Sequence, residues 1–211
     1  RPAWHTERTT IESHPFRDGV RDALHFTAQA QWQAWDALAK MEESPDVDDY
    51  LRGLAPPEMV YIPPGAFLMG SGDDDPEARA NEKPQHAVWL RGYYIDKYPV
   101  TNEQYQAFMA AEGYEKREYW TDAGWAQKER ENWREPRYWN DNRFQGERKP
   151  VMGVSWYEAV AYSQWAGKSL PAEPQWEKAA GWDPTTKTRR RYPWDSVWKT
   201  DHCNTEEAGN G

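Results

Sequence analysis

The sequence predicts an α+β fold that is rich in loops, with short strands and a few helices, preceded by one long amphipathic helix. Its 211 residues include 16 prolines and 14 glycines, which indicate much irregular structure. The 14 tryptophans and 12 tyrosines are far above ordinary usage. Because Trp and Tyr side chains bury a large area and keep one polar group that needs a partner, we expect a compact core with many side-chain hydrogen bonds.

Residues 1–57 are predicted to be a connector followed by the long helix. Residues 1–16 show no sustained periodicity. From about Asp18 to Glu43 the apolar residues recur at helical spacing and form one stripe, which consists of Val20, Leu24, Ala28, Trp32, Trp35 and Leu38. An acidic segment and the pair Pro56-Pro57 then mark a boundary, so residues 58–211 form the second predicted domain.

Short strands and a capped helix are predicted after this boundary. The run EMVYIPPGAFLMG indicates two strands around a Pro-Pro-Gly turn, and HAVWLRGYYIDKYPV indicates another hairpin that turns at Arg91-Gly92. Thr101 and Gln104 have the spacing of a capping box, which predicts a helix that ends at Gly113. Its buried face consists of Tyr105, Phe108 and Met109.

The stretch 151–181 is predicted to be a strand, a helix, a tight connection and a second helix. Ser155 and Glu158 have capping-box spacing, and Gly167 stands where a helix C′ residue adopts a left-handed conformation. The second helix runs from about Glu173 to Ala180 and stops at Gly181. Two short helices cannot bury the aromatic bulk of this stretch against each other, so we expect a surrounding body to cover Trp156, Trp165 and Trp176.

Residues 114–150 show no clear period and are rich in Trp, Tyr, Arg, Glu and Asn. Two interpretations are equally favoured. The segment is either an ordered cover over the core or a binding surface, because aromatic residues and Arg are enriched at contact surfaces. The residues of the predicted surface are Trp120, Trp125, Trp133, Arg137 and Trp139.

Charge and cysteine content bound the function. A net charge of −9 without a dominant basic face argues against nucleic acid as a partner, and the run 189–191 is interpreted as a solvated loop. No apolar stretch approaches membrane-spanning length, so we expect no membrane partner. No secretory signal is visible, and the sequence leaves the compartment open while favouring a cytoplasmic location. Cys203 is the single cysteine, which excludes an internal disulfide. Since the chain begins at Arg1, we expect it to be part of a longer protein.

Isolated polar residues give no catalytic or cofactor site. His86 and His202 are alone in loops or strand edges, and we interpret them as structural. The His-x-x-x-His spacing of a helix-borne metal site is absent from the sequence. The acidic run 73–75 could attract a cation but is interpreted as a solvated loop.

The blocks 58–71, 81–108, 150–180, 192–195 and 203–205 together resemble the formylglycine-generating enzyme family, also called the sulfatase-modifying factor family. They read EMVYIPPGAFLMGS, NEKPQHAVWLRGYYIDKYPVTNEQYQAF, PVMGVSWYEAVAYSQWAGKSLPAEPQWEKAA, YPWD and CNT, in family order. The resemblance implies a variant of the C-type-lectin fold and covers only the first part of the family domain. One departure is Ala172, where the family usually has a Thr that caps the following helix.

The resemblance also bears on metals. Oxidase members of the family use a cysteine pair in the later half of the domain to bind copper, so copper is expected only if the full-length protein carries that pair. The iron-dependent sulfoxide synthases take their ligands largely from a helical domain bearing HxxxHxE, which the helix at 18–43 lacks. Structural calcium in family members implies Asn204 and Thr205 as ligands, with Glu206, Glu207 or Asn210 to fill the oxygen shell.

Two functions remain open from the sequence. The first is a non-catalytic module that recognises a small ligand, a protein or other domains of the same chain, within a larger bacterial signalling, defence or variable-receptor protein. The second is a copper-dependent oxidase that makes formylglycine, with its catalytic cysteines beyond residue 211. The single cysteine and the preceding helical segment favour the first function.

Overall fold

The structure is a computed structural model that describes residues 52, 53, 55 and 58–205. The helix predicted at 18–43 and the residues 206–211 lie outside the described part of the chain. The chain divides into two compact units that alternate along the sequence. In the described part, unit 1 consists of Pro63–Tyr93 together with residues 177–205. Unit 2 consists of the described residues between 52 and 62 together with Tyr94–Trp176. The boundary predicted between residues 57 and 58 stays a prediction.

Short strands and four helices make up a mixed helix-and-strand fold in the described residues, consistent with the expected class. The strands are β1 Met59–Ile62, β2 Gly65–Met69, β3 His86–Leu90, β4 Tyr93–Asp96, β5 Trp182–Asp183 and β6 Thr188–Arg189. The helices are α1 Asn102–Ala110, α2 Asp122–Glu131, α3 Trp156–Trp165 and α4 Glu173–Gly181. Two short 3₁₀ helices lie at Ala80–Glu82 and Arg117–Tyr119.

The strands pair differently from the two predicted hairpins. β1 pairs with β4, and β2 pairs with β3 in an antiparallel register that sets Gly65 opposite Leu90. The predicted hairpin pairings were therefore wrong, although the strand segments were right. Pro63 and Pro64 have no N–H to donate across a turn, which disfavours closing β1 against β2.

The C-terminal third holds a strand pair that the sequence did not indicate. β5 and β6 form a short antiparallel pair in which Trp182 lies opposite Arg189. The Asp183 carboxylate accepts hydrogen bonds from the backbone N–H groups of Thr185 and Thr186, which closes the turn. The Arg189 guanidinium lies 3.6 Å from the Glu177 carboxylate. The interpretation of 189–191 as a solvated loop is thus wrong for Arg189, which is half-buried in a strand.

The helix starts agree well with the sequence. Thr101 and Gln104 form the predicted capping box of α1, and Ser155 and Glu158 form that of α3. Gly167 follows α3 with a φ of 69°, which confirms the left-handed C′ position. These ends are readable from the sequence because each depends on residues only a few positions apart.

Residues 114–150 contain regular structure that their composition does not reveal. The segment forms the 3₁₀ helix Arg117–Tyr119 and then α2, which Thr121 caps through a bond from the Gly124 N–H. Asn132 ends α2 in the left-handed conformation. The buried face of α2 is formed by Gly124 and Lys128 rather than by an apolar stripe, so helical periodicity was not visible.

Each unit has its own core. In unit 1, Ala66, Phe67 and Leu68 of β2 pack with Trp182. In unit 2, aromatic residues dominate the core, which consists of Tyr105, Phe108, Tyr114, Trp120 and Ala161.

The expectation of a body around three tryptophans holds for only one of them. Trp165 packs against the unit 2 core. Trp156 and Trp176 remain 63% and 61% exposed. Both lie in the first turns of their helices, α3 and α4, and their exposure corrects the prediction that they are covered.

Candidate ligand-binding site

A cleft with a volume of about 540 Å³ opens within unit 2, a size that suits a small organic ligand. We call it the α1 cleft, because the N-terminus of α1 forms part of its wall. Most of its lining residues are of polar or charged types, and their apolar atoms share in the surface. The lining residues are Glu58, Asp96, Tyr98, Pro99, Thr101, Gln104, Arg148, Pro150, Tyr162 and Lys168.

Four charged side chains line the α1 cleft, two of each sign. Lys168 Nζ lies 2.6 Å from Asp96 Oδ1, so these two charges compensate each other. Among the residues that the structure describes, neither the Glu58 carboxylate nor the Arg148 guanidinium has an ion pair or a side-chain hydrogen bond. The cleft therefore offers one anion and one cation that a ligand can use.

The loop that carries Arg148 is held against the start of α1. The Asn102 side-chain amide donates to the carbonyl oxygens of Phe144 and Gly146 at 2.8 and 3.0 Å. The Asn102 backbone N–H donates to the Lys149 carbonyl at 2.9 Å. These bonds connect residues more than 40 positions apart, and they fix the backbone on both sides of Arg148.

The helix N-terminus in the cleft wall has its N–H groups already occupied. Glu103 N–H donates to the Glu147 carbonyl, and Gln104 N–H donates to Thr101 Oγ1. The Gln104 side chain in turn accepts from the Thr101 N–H at 2.9 Å. At this helix start the cleft wall therefore presents side chains rather than free backbone donors.

Tyrosines supply the aromatic part of the cleft. The Tyr162 ring stacks on Tyr105, with ring centroids 5.4 Å apart and an angle of 14° between the ring planes. Burial raises the pKa of Tyr162, and the nearby Asp96 charge raises it further, so this hydroxyl stays neutral at physiological pH. Tyr98 is 61% exposed, which leaves its ring accessible. A ligand with an apolar part can contact these rings.

The lining of the α1 cleft offers three kinds of contact to a ligand. Its charged side chains can form ion pairs, Thr101 and Gln104 carry hydrogen-bonding groups, and Tyr98 and Tyr162 supply aromatic rings.

A buried polar network lies in the core of unit 2. The Tyr114 hydroxyl donates to Glu158 Oε1 at 2.6 Å and lies 3.2 Å from the Tyr105 hydroxyl. Glu158 Oε2 accepts from the Ser155 N–H at 2.7 Å. Burial raises the pKa values of Tyr105 and Tyr114 above their ordinary range. The network connects α1 to the capped start of α3.

The aromatic surface predicted in 114–150 has its members at different depths. Trp120 is only 5% exposed and donates from Nε1 to the Gly113 carbonyl, so it is part of the core. Arg137 is exposed, and its guanidinium lies 5.4 Å from the Tyr138 ring. The half-buried members packed against the core are Trp125, Trp133 and Trp139. The use of this surface in binding stays a prediction.

The predicted calcium ligands lie at the edge of the described chain. Asn204 is exposed, whereas Thr205 is half-buried and its Oγ1 has no hydrogen-bond partner in the described part. Residues 206–211, with the further predicted ligands, lie outside it. Between residues 58 and 205 no group of three or more His, Cys, Asp and Glu side chains could hold a metal ion. Calcium binding therefore stays a prediction.

The other singled-out residues have contacts within unit 1. His86 Nδ1 lies 2.9 Å from the Pro84 carbonyl oxygen, and the His202 ring packs edge-on against Trp194, which agrees with structural roles for both histidines. The Asp75 carboxylate accepts the Glu77 N–H at 3.0 Å and lies 3.7 Å from the Arg191 guanidinium. The interpretation of 73–75 as a solvated loop is therefore wrong for Asp75.

The α1 cleft itself was not found by reading the sequence. Its residues come from four separate segments, near positions 58, 96–104, 148–150 and 162–168. Each segment taken alone shows an ordinary turn or cap, so the sequence carries no local signal for the cleft.

Comparison with known proteins identifies the family. The model of the sulfatase-modifying factor enzyme 1-like domain matches residues 45–211, which is most of the chain. The chain belongs to this family. The resemblance inferred from the sequence blocks is thereby confirmed.

The relatives of this sulfatase-modifying-factor chain carry different names. It is 42% identical over 136 residues to hercynine oxygenase from Mycolicibacterium thermoresistibile, a match that covers 60% of this chain and 30% of that protein. It is 36% identical over 161 residues to formylglycine-generating enzyme from Thermomonospora curvata, covering 64% of this chain and 52% of that protein. It is 37% identical over 136 residues to serine/threonine-protein kinase Pkn1 from Chlamydia trachomatis, covering 64% of this chain and 21% of the kinase. The chain thus spans about a third of the length of the hercynine oxygenases that it matches.

The residues of this family member do not fit a copper centre of the oxidase type. Such a centre needs two thiolates, and Cys203 is the single cysteine of the sequence. Cys203 is half-buried near the end of the described chain.

Within the described residues, no helix is long and apolar enough to cross a membrane.

Proposed function

We propose that this chain is a non-catalytic recognition module of the sulfatase-modifying-factor family and that its ligand binds in the α1 cleft. The observation that carries the proposal is the cleft lining, in which Glu58 and Arg148 present opposite charges without partners in the described part. A site of this size with free charged groups is suited to binding a small molecule.

The match to a kinase supports a recognition role. In Pkn1 the shared region is 21% of the protein, so the domain accompanies much other chain there. We extend this to the present protein and propose that the domain belongs to a larger bacterial protein of the signalling, defence or variable-receptor type. The domain would cover residues 58–211 and have a C-type-lectin-like fold. The surface around Trp125, Trp133, Arg137 and Trp139 would contact a protein partner or another domain.

A thermal-shift screen of chain 1–211 against a library of small metabolites tests the proposal. A compound that binds the folded chain raises the melting temperature by mass action. We expect at least one compound to raise the melting temperature of the wild type, and we expect this shift to shrink in both Arg148→Gln and Glu58→Gln. Arg91→Gln serves as a matched control, since Arg91 is an exposed arginine of unit 1 with no side-chain partner in the described part. A library without a single stabilising compound would count against the recognition role.

The second candidate is an oxidase or oxygenase, which the 42% identity to hercynine oxygenase and the 36% identity to formylglycine-generating enzyme favour. In this alternative the full-length protein makes formylglycine with copper, and its catalytic cysteines lie beyond residue 211. The test uses the full-length protein. One arm supplies copper, oxygen and a cysteine-containing sulfatase-type peptide, and the other supplies ferrous iron, oxygen, a thiol and hercynine. Turnover in either arm, detected by mass spectrometry, would replace the non-catalytic proposal.

A further inference from the structure

We infer that the ligand of the α1 cleft is a small zwitterion that carries a carboxylate and a primary ammonium group, as free amino acids and dipeptides do. The inference rests on the proposed recognition function and names the chemical class of the ligand. It follows from the pairing of the four charged side chains in the cleft. Asp96 and Lys168 pair with each other, whereas Glu58 and Arg148 have no partner in the described part.

The cleft has one cation available for a carboxylate. Lys168 is engaged with Asp96 at 2.6 Å, so an incoming carboxylate would have to displace a bound partner to use it. Arg148 has no such partner in the described chain, and its planar guanidinium can donate two parallel hydrogen bonds to one carboxylate. Because Asn102 binds the loop on both sides of Arg148, that group is presented from an anchored backbone.

The cleft has one anion available for an ammonium group. Asp96 is neutralised by Lys168, whereas the Glu58 carboxylate is free of side-chain partners in the part of the chain that the structure describes. The backbone at Glu58 is fixed, since its carbonyl accepts the Lys97 N–H at 2.8 Å immediately before β1. An ionised carboxylate only accepts hydrogen bonds, so it pairs best with a group that donates several N–H bonds.

A ligand of a single charge would pair with only one of these two groups. A zwitterion pairs with both, and its net charge of zero matches the balanced charges of the cleft. The accessible Tyr98 ring and the stacked Tyr162 ring provide a surface for an apolar or aromatic side chain on the same ligand.

The test is calorimetric titration of chain 1–211 with a matched series of probes. L-phenylalanine and glycylphenylalanine carry both charged groups, and comparing them separates a free amino acid from a dipeptide. N-acetyl-L-phenylalanine lacks the ammonium, L-phenylalanine amide lacks the carboxylate, and N,N,N-trimethyl-L-phenylalanine keeps the positive charge without N–H donors. We expect the first two probes to bind, and we expect each of the other three to bind roughly tenfold more weakly than L-phenylalanine.

Variants assign the two charged contacts. Arg148→Gln and Glu58→Gln should each weaken L-phenylalanine binding roughly tenfold. Arg148→Gln should leave the affinity for the amide unchanged, and Glu58→Gln should leave the affinity for the N-acetyl compound unchanged. Arg91→Gln and Glu118→Gln are the matched controls, because both residues are exposed and have no side-chain partner in the described part. The melting temperature of each variant shows whether it is folded.

The outcomes separate this inference from the proposed function. Equal binding of the trimethyl probe and L-phenylalanine would overturn the primary ammonium. A library compound that loses affinity in both cleft variants, while neither zwitterionic probe binds, would overturn the ligand class and keep the recognition function. If neither the library nor the probes bind, both proposals fail.

Discussion

The Tyr114 hydroxyl donates a hydrogen bond of 2.6 Å to the Glu158 carboxylate in the core of unit 2. Tyr114 is 1% exposed and Glu158 is 3% exposed, so the bond is shielded from water. The other oxygen of the same carboxylate accepts from the Ser155 N–H and closes the capping box of α3. One buried carboxylate therefore joins a helix cap to the aromatic core, and its loss should weaken both.

Tyr114→Phe should lower the free energy of unfolding by about 1–3 kcal/mol. The substitution removes the donor and leaves Glu158 Oε1 with one fewer partner in a buried position, which carries the desolvation cost of an unsatisfied group. Urea unfolding followed by circular dichroism measures the change. Tyr138→Phe is the matched control, because Tyr138 is 37% exposed. A loss for Tyr114→Phe no larger than that of the control would show that the bond contributes nothing.

The stability of the chain should fall at alkaline pH. Burial raises the pKa values of Tyr105 and Tyr114 in the folded state, whereas a tyrosine in the unfolded chain ionises near about pH 10. Since the unfolded state then loses its protons first, these groups contribute their full stability below about pH 10 and less as the pH rises above it. Urea unfolding at a series of pH values from about 8 to 11 measures this slope. The slope should be shallower in Tyr114→Phe, and an unchanged slope would contradict the assignment.

Local features of the fold could be predicted from the sequence. The capping boxes at Thr101 and Ser155 and the left-handed Gly167 were all recognised, since each depends on a bond between near neighbours. The family blocks added the fold class, because they preserve the order of such local features along the chain.

Features that depend on distant contacts could not be predicted. The predicted strand pairing was wrong because β1 pairs with β4 rather than with β2. Which strands pair depends on side-chain packing between distant segments and not on local sequence preference. Helix α2 was missed because its buried positions are Gly124 and Lys128, which carry no hydrophobic signal. The α1 cleft could not be predicted because its residues are distant in sequence. Glu58 and Arg148 are 90 residues apart and line the same cleft only in the folded chain.

Lys178→Met should also destabilise the chain, by about 1–3 kcal/mol. Lys178 is 5% exposed, and its Nζ donates to the carbonyl oxygens of Pro63 and Gly65 at 2.9 and 3.0 Å. Methionine has a similar length without a donor, so the carbonyl oxygens of Pro63, in the turn before β2, and of Gly65, at the start of β2, each lose a hydrogen bond. Lys199→Met provides the control, because Lys199 is exposed. Equal unfolding free energies for the two variants, measured in urea, would show that the turn does not depend on Lys178.

Ala172→Ser should stabilise α4. The Ala172 N–H already donates to Gln175 Oε1 at 2.8 Å, and its carbonyl accepts the Trp176 N–H, so Ala172 stands at the N-cap with half of a capping box formed. A serine would add the missing hydroxyl acceptor for an N–H of the first turn, an interaction worth about 1 kcal/mol. The melting temperature should rise by roughly 2–4 °C for a chain of this length.

Ala123→Ser is the control, since Ala123 lies inside the first turn of α2, which Thr121 already caps. A serine inside that helix has no free N–H to cap and should leave the melting temperature unchanged or slightly lower. A fall in melting temperature for Ala172→Ser would mean that the backbone at Ala172 does not allow the side chain to reach α4.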